Sequence, residues 1–539
     1  MHSEGVRNDT FYRIQPLKRG EDMREKYLKL QNGSDIRGVS LTGVPGENLS
    51  LREGEAKEIA IGFIAWLSEK KGIKPEDMTL AIGRDPRTSG PRLLDGLMDG
   101  FGEYGCRVYD FGYASTPAMF MATVFEEFAC DGTVMITASH LPYNRNGFKF
   151  FTREGGLNKK DITTILEYAA DKNAQIAKLG NPPKAGQQTH RLGKLVFEAE
   201  KNDIMTPYCE FLKNLIIDGV GAGERPLEGM KIVVDAGNGG GGFYATRVLK
   251  PLGADISASQ FLEPDGMFEN HAPNPEDKEA INAISLQTVA SGADLGLIFD
   301  TDVDRSAAVD SRGREIARNG IVAMAAALVA EEHPGTTVVT DSITSRQLSE
   351  FIENKLGLKH FRYRRGYRNV INKAIELNEQ GIDSQLAIET SGHAALKENY
   401  FLDDGAYLAT KIVIKAAKLF RQGEKIDSVI AELQDPADEK EIRIPILCEE
   451  FAEYGDKVLS DLAEYAKATE GLSLEEPNYE GVRINFDSDG CGAQGWCLLR
   501  KSLHDPLLPM NMASDEKGGC KEIQKIMMDF LSGYDQLKL

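Results

Sequence analysis

"LAIGRDPRTSGPRLLDGLMDGFGEYGCRVYDFG", residues 80–112, leaves an apolar strand through a turn of Asp, Pro and Gly, enters an amphipathic helix, and exits through a glycine into a second strand. "KIVVDAGNGGGGFYATRVLKPLGADISAS", residues 231–259, and "TTVVTDSITSRQLSEFIENKLGLKHFRY", residues 336–363, repeat that order. In each unit the two strands start roughly 20 to 25 residues apart, the spacing that a parallel pair with a helical crossover requires. Each unit then meets a further apolar strand that runs into a polar loop. These are "VMITASHLPYN" at 134–144, "LGLIFDTDVDRSA" at 295–307 and "SQLAIETSGHAA" at 384–395. In α/β sheets ligands gather beyond the carboxyl ends of the strands, so three such loops predict one shared cleft.

At 539 residues the chain exceeds what one hydrophobic core serves. The expectation is an α/β protein of four domains: three similar βαβ-containing α/β units and a C-terminal α+β domain beginning near "EIRIPI", around one central cleft. The expected spans are 1–206, 207–319, 320–436 and 437–539. Glycine- and proline-rich stretches near 180–190 and 218–229 read as flexible connections. A hydrophobic fraction of 41% and a charged fraction of 27% are ordinary for a globular protein. The net charge of −20 excludes a nucleic-acid binder, which needs a basic face, and disfavours an anionic membrane surface. Seven cysteines with no CxxC pair suggest neither a disulfide framework nor a zinc site, and fit a reducing compartment. The first residues carry no apolar signal core, so the expected location is cytoplasmic, or a plastid if a transit peptide has been removed.

The loops hold the chemistry. In "DTDVDR", Asp300, Asp302 and Asp304 alternate after a buried strand. Clustered carboxylates repel one another unless a cation sits among them, and hard oxygens suit Mg²⁺. An EF-hand is excluded, because Arg305 and Ser311 stand where its glycine and bidentate glutamate belong. A solvated acidic turn is the competing reading. "GNGGGG" satisfies the dinucleotide-binding pattern GxGxxG at Gly237, Gly239 and Gly242, the best case for a nicotinamide-dependent dehydrogenase. Asp255, however, lies at the start of the next expected strand rather than its end, where ribose recognition needs an acid. A tight strand-to-helix turn explains those glycines equally well. "ETSGH" offers Glu389, Ser391 and His393 as a polyol site, with a helix cap as the plainer alternative. Ser139 lacks the GxSxG elbow of hydrolases, and His140 as immediate neighbour is badly placed to deprotonate it. Lys149, Arg305 and Arg37 could stabilise a phosphoryl group in transit; Arg84 and Arg87 gain weight only in such company.

In this order the segments resemble the α-D-phosphohexomutase family, which includes phosphoglucomutases and phosphomannomutases. "TASHLPYNRNGFK" resembles the family's phosphoserine loop TASHNPxxxNGxK, "DTDVDR" its DGDGDR metal loop, "ETSGH" its sugar loop, and "DIRG" contributes Arg37. Departures are Leu141 in place of asparagine, Thr301 and Val303 in place of two glycines, and a last loop, "RKSLHDPLLP", set against RxSGTEPxxR. There Arg500 and Ser502 match, while Leu503, His504, Asp505 and Pro509 do not; Lys501 or His504 is the candidate for the missing positive charge.

The resemblance implies a mutase that interconverts hexose 1-phosphate and hexose 6-phosphate. Ser139 would carry the phosphate, and one Mg²⁺ would lie on Asp300, Asp302, Asp304 and Ser139. Lys149, Arg305, His393, Arg37 and His140 would form the catalytic set. Glu389, Ser391, His393, Arg500 and Ser502 would bind substrate, and hexose 1,6-bisphosphate would serve as intermediate and activator. It implies a small phosphosugar partner, no nucleic acid or membrane, and a monomer or homodimer. Phosphoglucosamine mutase and a catalytically weakened sugar-phosphate binding protein are the alternatives.

Overall fold

The computed structural model describes residues 21–182, 189–191, 194–196, 199–502 and 505–539. It is a mixed α/β protein with four main sheets. In the first unit, strand Thr79–Arg84 pairs in parallel with Arg107–Tyr113 on one side and Gly132–Ile136 on the other. The chain then turns back, antiparallel, along Arg145–Thr152. The third unit has the same plan: Thr337–Thr340 lies parallel to Lys359–Arg362 and Ser384–Ile388, and Ala394–Leu396 returns antiparallel. In the second unit Ile232–Asp235 runs parallel to Leu295–Phe299, which Ser306–Asp310 follows antiparallel. Every polar loop singled out in the sequence therefore joins a parallel strand to an antiparallel return. Gly132–Ile136 and Leu295–Phe299 are buried at every residue, which explains their unbroken apolar runs.

The second unit departs from expectation at 254–259, which was read as a strand. Only isolated bridges form there, Lys231 with Asp255 and Asp235 with Gln260. Asp255 accepts the Ser257 amide at 3.0 Å, and this local turn diverts the backbone from a continuous ladder. The stretch 218–229 is exposed over residues 221–225 and anchored at Pro226 and Leu227. Leu227 is fully buried, its amide reaches Leu252 O at 3.0 Å, and Pro226 O accepts Arg421 Nη2 at 2.8 Å. The stretch near 180–190 lies largely outside the described residues.

The last sheet is wholly antiparallel, in the order Asp438–Pro445, Leu507–Ser514, Gly495–Leu499, Val482–Phe486, Leu472–Leu474. Its apolar core, built on Ile484, Leu499, Met510 and Ile523, is its own. By contrast one continuous core runs through the first three units, from Tyr109 and Phe120 through Tyr208 and Phe299 to Ile388 and Ile412. No helix among the described residues is long and apolar enough to cross a membrane.

The glycine-rich turn has a structural explanation. The Asp235 carboxylate is committed to His271 Nε2 at 3.1 Å, Gln260 Nε2 at 2.7 Å and the Gly237 amide at 2.8 Å. A Cβ at Gly239 would lie 2.8 Å from Thr301 Cα, so the glycine lets this turn pass against the aspartate loop. The buried His271–Asp235 pair makes a pH prediction. Burial lowers the imidazole pKa, but the hydrogen bond and charge of Asp235 outweigh it and leave the pKa raised. The pair's stabilisation is then complete below the unfolded histidine value of about 6.5 and is lost as pH rises through the higher folded value. The gap in melting temperature between the parent and His271→Leu should accordingly shrink as pH is raised from about 6 to about 9. A gap independent of pH would mean that packing alone holds His271.

Candidate active site

Ser139 lies just beyond strand Gly132–Ile136 in the left-handed region, φ +51°, with its amide on Thr137 Oγ1 at 2.8 Å. Arg87 is what holds this loop. Its side chain is fully buried with that of Asp85, whose carboxylate takes its Nε at 3.1 Å. The rest of the guanidinium donates to the carbonyls of Ser139, Leu141 at 2.7 Å, Pro142 at 2.7 Å and Arg145 at 3.1 Å. Leu141 thus serves through its carbonyl, which any residue supplies, so losing the asparagine side chain leaves this clamp intact. Arg84 instead lies 4.2 Å from the ring of exposed Tyr113, and none of its described contacts reaches Ser139.

Ser139 Oγ donates to Asp300 Oδ2 at 2.9 Å and accepts from Arg305 Nη2 at 3.2 Å. Lys149 Nζ reaches Asp302 Oδ2 at 2.9 Å and also bonds Asp304 Oδ2. The phosphoserine-type loop and the aspartate loop, read separately in the sequence, therefore form one cluster. Three carbonyls of the aspartate loop are tied to three parts of the chain. Thr301 O accepts Gly240 N at 2.7 Å, Asp302 O accepts Thr116 N at 2.8 Å, and Val303 O accepts Gly405 N at 3.2 Å. Val303 replaces a glycine of the family pattern at φ +67°, a strained setting for a β-branched residue, and its fully buried side chain packs into the large core.

The electrostatics follow from this crowding. Burial and the carboxylates of Asp304 and Asp302 push Asp300 up to about 8, against the pull of Arg305. Burial opposes charge on Lys149, but Asp302 and Asp304 overcome it and hold the ammonium well above its ordinary range. Arg305, burial and Arg37 together depress His140, whose Nδ1 lies 3.4 Å from Ser139 Oγ, so its imidazole is neutral. The three aspartates offer oxygens within 4.8 Å of one another. Among the described residues the buried Oδ1 atoms of Asp302 and Asp304 have no hydrogen-bond partner. Carboxylate donors with unpartnered oxygens fit a hard divalent cation.

The sugar-type loop reaches the same cluster. Arg305 and His393 face each other in an antiparallel bridge, and His393 Nδ1 lies 3.8 Å from Asp304 Oδ1. His393 Nδ1 is 2.6 Å from Asp403 Oδ2, and this partner with Asp304 raises the imidazole to about 9 despite burial. Burial and Asp341 push Glu389 up to about 7; its Oε1 accepts the Gly366 amide at 2.6 Å. Ser391 Oγ sits 3.5 Å from Glu389 Oε2.

Several neighbours escaped the sequence reading. Tyr367 stacks on His393 at 5.0 Å and donates to Asp35 at 3.2 Å; Asp35 also accepts Arg37 Nη2 at 2.9 Å. Thr116 Oγ1 donates to Asp302 Oδ2 at 2.5 Å, and Asn274 Oδ1 takes Arg305 Nη1 at 3.2 Å. The paired aspartates of "FLDDGAY", closing a short strand before a helix, were the one local signal for Asp403.

Arg500 is not in contact with Ser139 or the aspartates among the described residues. Burial lowers its pKa, its charged neighbours are Glu480, Arg365, Glu441 and Asp341, and its buried Nε has no hydrogen-bond partner among the described residues. Ser502 Oγ accepts the Asp505 amide at 3.2 Å. Lys501, a candidate for the missing charge, is instead drawn to the helix Phe451–Ala468, 2.5 Å from Asp456 and 3.3 Å from Ala452 O. Leu503 and His504 lie outside the described residues.

Three family models match the chain: phosphoglucomutase/phosphomannomutase alpha/beta/alpha domain I over residues 29–177, domain II over 206–313 and domain III over 318–436. A phosphoglucomutase/phosphomannomutase of Thermococcus kodakarensis is 30% identical over 481 residues, covering 89% of this chain and 93% of the relative. A phosphomannomutase/phosphoglucomutase of Pseudomonas aeruginosa is 28% identical over 503 residues, covering 93% and 96%. The crystal structure of a Burkholderia thailandensis phosphoglucomutase/phosphomannomutase family protein shares the fold, with a TM-score of 0.71 at 23% identity and coverage of 94% and 97%. The loop order read in the sequence, the cluster those loops build and these matches agree: the chain belongs to the phosphoglucomutase/phosphomannomutase family.

Proposed function

We propose that this protein is a phosphohexomutase that interconverts hexose 1-phosphate and hexose 6-phosphate, with glucose or mannose as the sugar. The observation that carries the reading is Ser139 Oγ, 2.9 Å from Asp300 and 3.2 Å from Arg305 in a cluster that His393 also borders. Phosphorylated Ser139 gives its phosphoryl group to the free O1 or O6 of the sugar. The bond from phosphorus to Ser139 Oγ breaks, its electrons remain on Oγ, and the new bond forms to the sugar oxygen. The sugar hydroxyl's proton is relayed by Lys149 or His393, each a cation that gives up one proton toward the departing Ser139 Oγ as it takes the other. Arg305, already on Oγ, steadies the charge left there. The resulting hexose 1,6-bisphosphate turns over in the cleft and returns its other phosphate to Ser139. Glu389 and Ser391 bind sugar hydroxyls while Arg500 and Ser502 hold the distal phosphate. Asp300, Asp302 and Asp304 would hold Mg²⁺, which neutralises phosphoryl charge when bound.

The test is a coupled assay of glucose 1-phosphate and mannose 1-phosphate conversion, with and without glucose 1,6-bisphosphate, and with and without chelator. Turnover that depends on the bisphosphate and disappears on chelation is expected. Turnover that survives complete chelation would sink the metal assignment. Phosphosugar binding with no turnover at all would favour a binding protein, the reading that the altered "RKSLHDP" loop otherwise supports.

A further inference from the structure

The fourth unit has a core of its own. Trp496, Leu498 and Ala513 pack on Ile343, and the Tyr479 ring stacks on Phe361 at 5.3 Å and lies 5.2 Å from Tyr363 of the third unit. Polar contacts add to these. Arg483 is 2% exposed, and donates to Ser342 O at 2.8 Å and Thr344 O at 3.0 Å while lying 3.7 Å from the Trp496 ring. One further contact leads toward the candidate active site. Glu480, on the same unit, accepts Ser342 Oγ and, at 3.1 Å, the amide of Arg365.

Arg365 belongs to "RRGYR", residues 364–368, where successive residues touch different parts of the molecule. Arg364 Nε donates to Tyr479 O at 2.9 Å. The Arg365 side chain lies 3.7 Å from Glu276, which in turn lies 3.8 Å from Arg305. The Gly366 amide holds Glu389 at 2.6 Å, and Tyr367 covers His393. Arg365 and Gly366 thus present consecutive amides to two carboxylates, Glu480 of the fourth unit and Glu389 of the sugar-type loop. Gly366 has φ +111° and ψ +118°, outside the helical region. The first turn of helix Tyr367–Glu379 holds the carbonyls, with Gly366 O accepting Asn369 N at 2.7 Å and Val370 N at 3.3 Å and Arg365 O accepting Asn369 Nδ2 at 2.7 Å, while the two amides face Glu480 and Glu389.

We propose that Glu480 is a positioning residue: by fixing the Arg365–Gly366 turn it sets the Glu389 carboxylate and the Tyr367 ring, so that sugar recognition depends on the fourth unit being docked. This rests on the phosphohexomutase reading for what Glu389 recognises, but the contact itself does not. Two neighbouring amides on one rigid turn cannot move independently. With the carbonyls fixed by the helix, the amide side is set by its two carboxylates, so losing the acceptor on the Arg365 amide loosens the neighbouring one presented to Glu389.

Glu480→Ala and Glu480→Gln test it. The glutamine oxygen can still accept both donors, whereas alanine offers none. Glu480→Ala should raise KM for hexose 1-phosphate about ten-fold with a much smaller change in kcat, as expected when one charge-assisted hydrogen bond is lost. Glu480→Gln should recover most of that loss. In a Glu389→Ala background the Glu480→Ala effect should vanish, because a residue acting through Glu389 has nothing left to position. Hydrogen exchange gives a readout independent of turnover. Peptides covering 364–368 and 386–393 should exchange faster in Glu480→Ala than in the parent, and near the parent rate in Glu480→Gln. A parent without turnover would sink the mutase reading and leave the exchange result to decide the contact. An unchanged KM, effects that multiply in the Glu389→Ala background, or exchange confined to the fourth unit would overturn the proposal. Glutamine as damaging as alanine would mean that the charge, not the amide contact, is what counts.

Discussion

Ser139→Ala should lose at least roughly 10⁴-fold in turnover while keeping the melting temperature of the parent. The serine oxygen is the one group through which the phosphoryl can enter and leave. The loop around it does not need that oxygen: Arg87 holds the carbonyls of residues 139, 141, 142 and 145, and the Ser139 amide is held by Thr137. After loading with glucose 1,6-bisphosphate, intact-mass and peptide mass spectrometry should find phosphate on Ser139 in the parent and on no residue of the variant. Phosphate consistently found on another residue would end the assignment. A variant that retained turnover would do the same.

Lys149→Met should show a different pattern, in stability as well as rate. Lys149, Asp302 and Asp304 are buried together, with side chains 4%, 0% and 1% exposed. Methionine keeps most of the stem volume but removes the only ammonium in contact with Asp302 and Asp304 among the described residues. Leaving buried carboxylates uncompensated costs about 3 to 5 kcal/mol. The aspartates can escape part of this cost by taking up protons, which raises their folded pKa above the unfolded value of about 3.9. The deficit should therefore widen as pH rises from about 5 to about 8. In chelator the variant should melt well below the parent. Millimolar Mg²⁺ should restore more to the variant than to the parent, because the ion supplies the missing charge and stabilises the state it binds. Turnover should fall by roughly 10² to 10⁴ if Lys149 moves the sugar proton. A variant as stable as the parent in chelator would show that the ammonium is not what balances these carboxylates.

The chelation and Lys149 experiments separate two cations that share one site. Lys149 bonds the Oδ2 atoms of Asp302 and Asp304, and among the described residues their Oδ1 atoms have no hydrogen-bond partner. A divalent ion would be held by Asp300, Asp302 and Asp304, where it would neutralise phosphoryl charge. The aspartates then keep a proton-carrying group and a phosphate-neutralising group within reach of Ser139.

How much of this was legible beforehand depended on whether the deciding interaction was local. The three buried strands could be read from their apolar runs. The loops that follow could be read as reactive because a short stretch held several polar groups that a plain turn does not need. The same local rules failed at 254–259, where an Asp255–Ser257 turn broke an apparent strand, and in part at 218–229, where exposed glycines hid the anchor at Pro226 and Leu227. Composition at those places is compatible with either outcome, and contacts with distant chain decide between them.

Most of the residues that the sequence left unmarked act across long separations. Thr116 meets Asp302 over 186 positions, and Tyr367 meets Asp35 over 332. Asp403 is only ten positions from His393, yet they meet because two short strands, Ala394–Leu396 and Leu402–Asp403, fold back on each other. Arg87 looked like one surface arginine among several until burial with Asp85 aimed it at four carbonyls. Lys501 looked available until helix Phe451–Ala468 claimed it. The sequence by itself determined the strand-and-loop grammar and the chemistry at each loop, because period, apolarity and functional-group density are properties of neighbouring residues. Only the tertiary structure decided which loops meet, which charges compensate one another and which arginine is a clamp, because desolvation and Coulomb energies depend on distances that chain order does not contain.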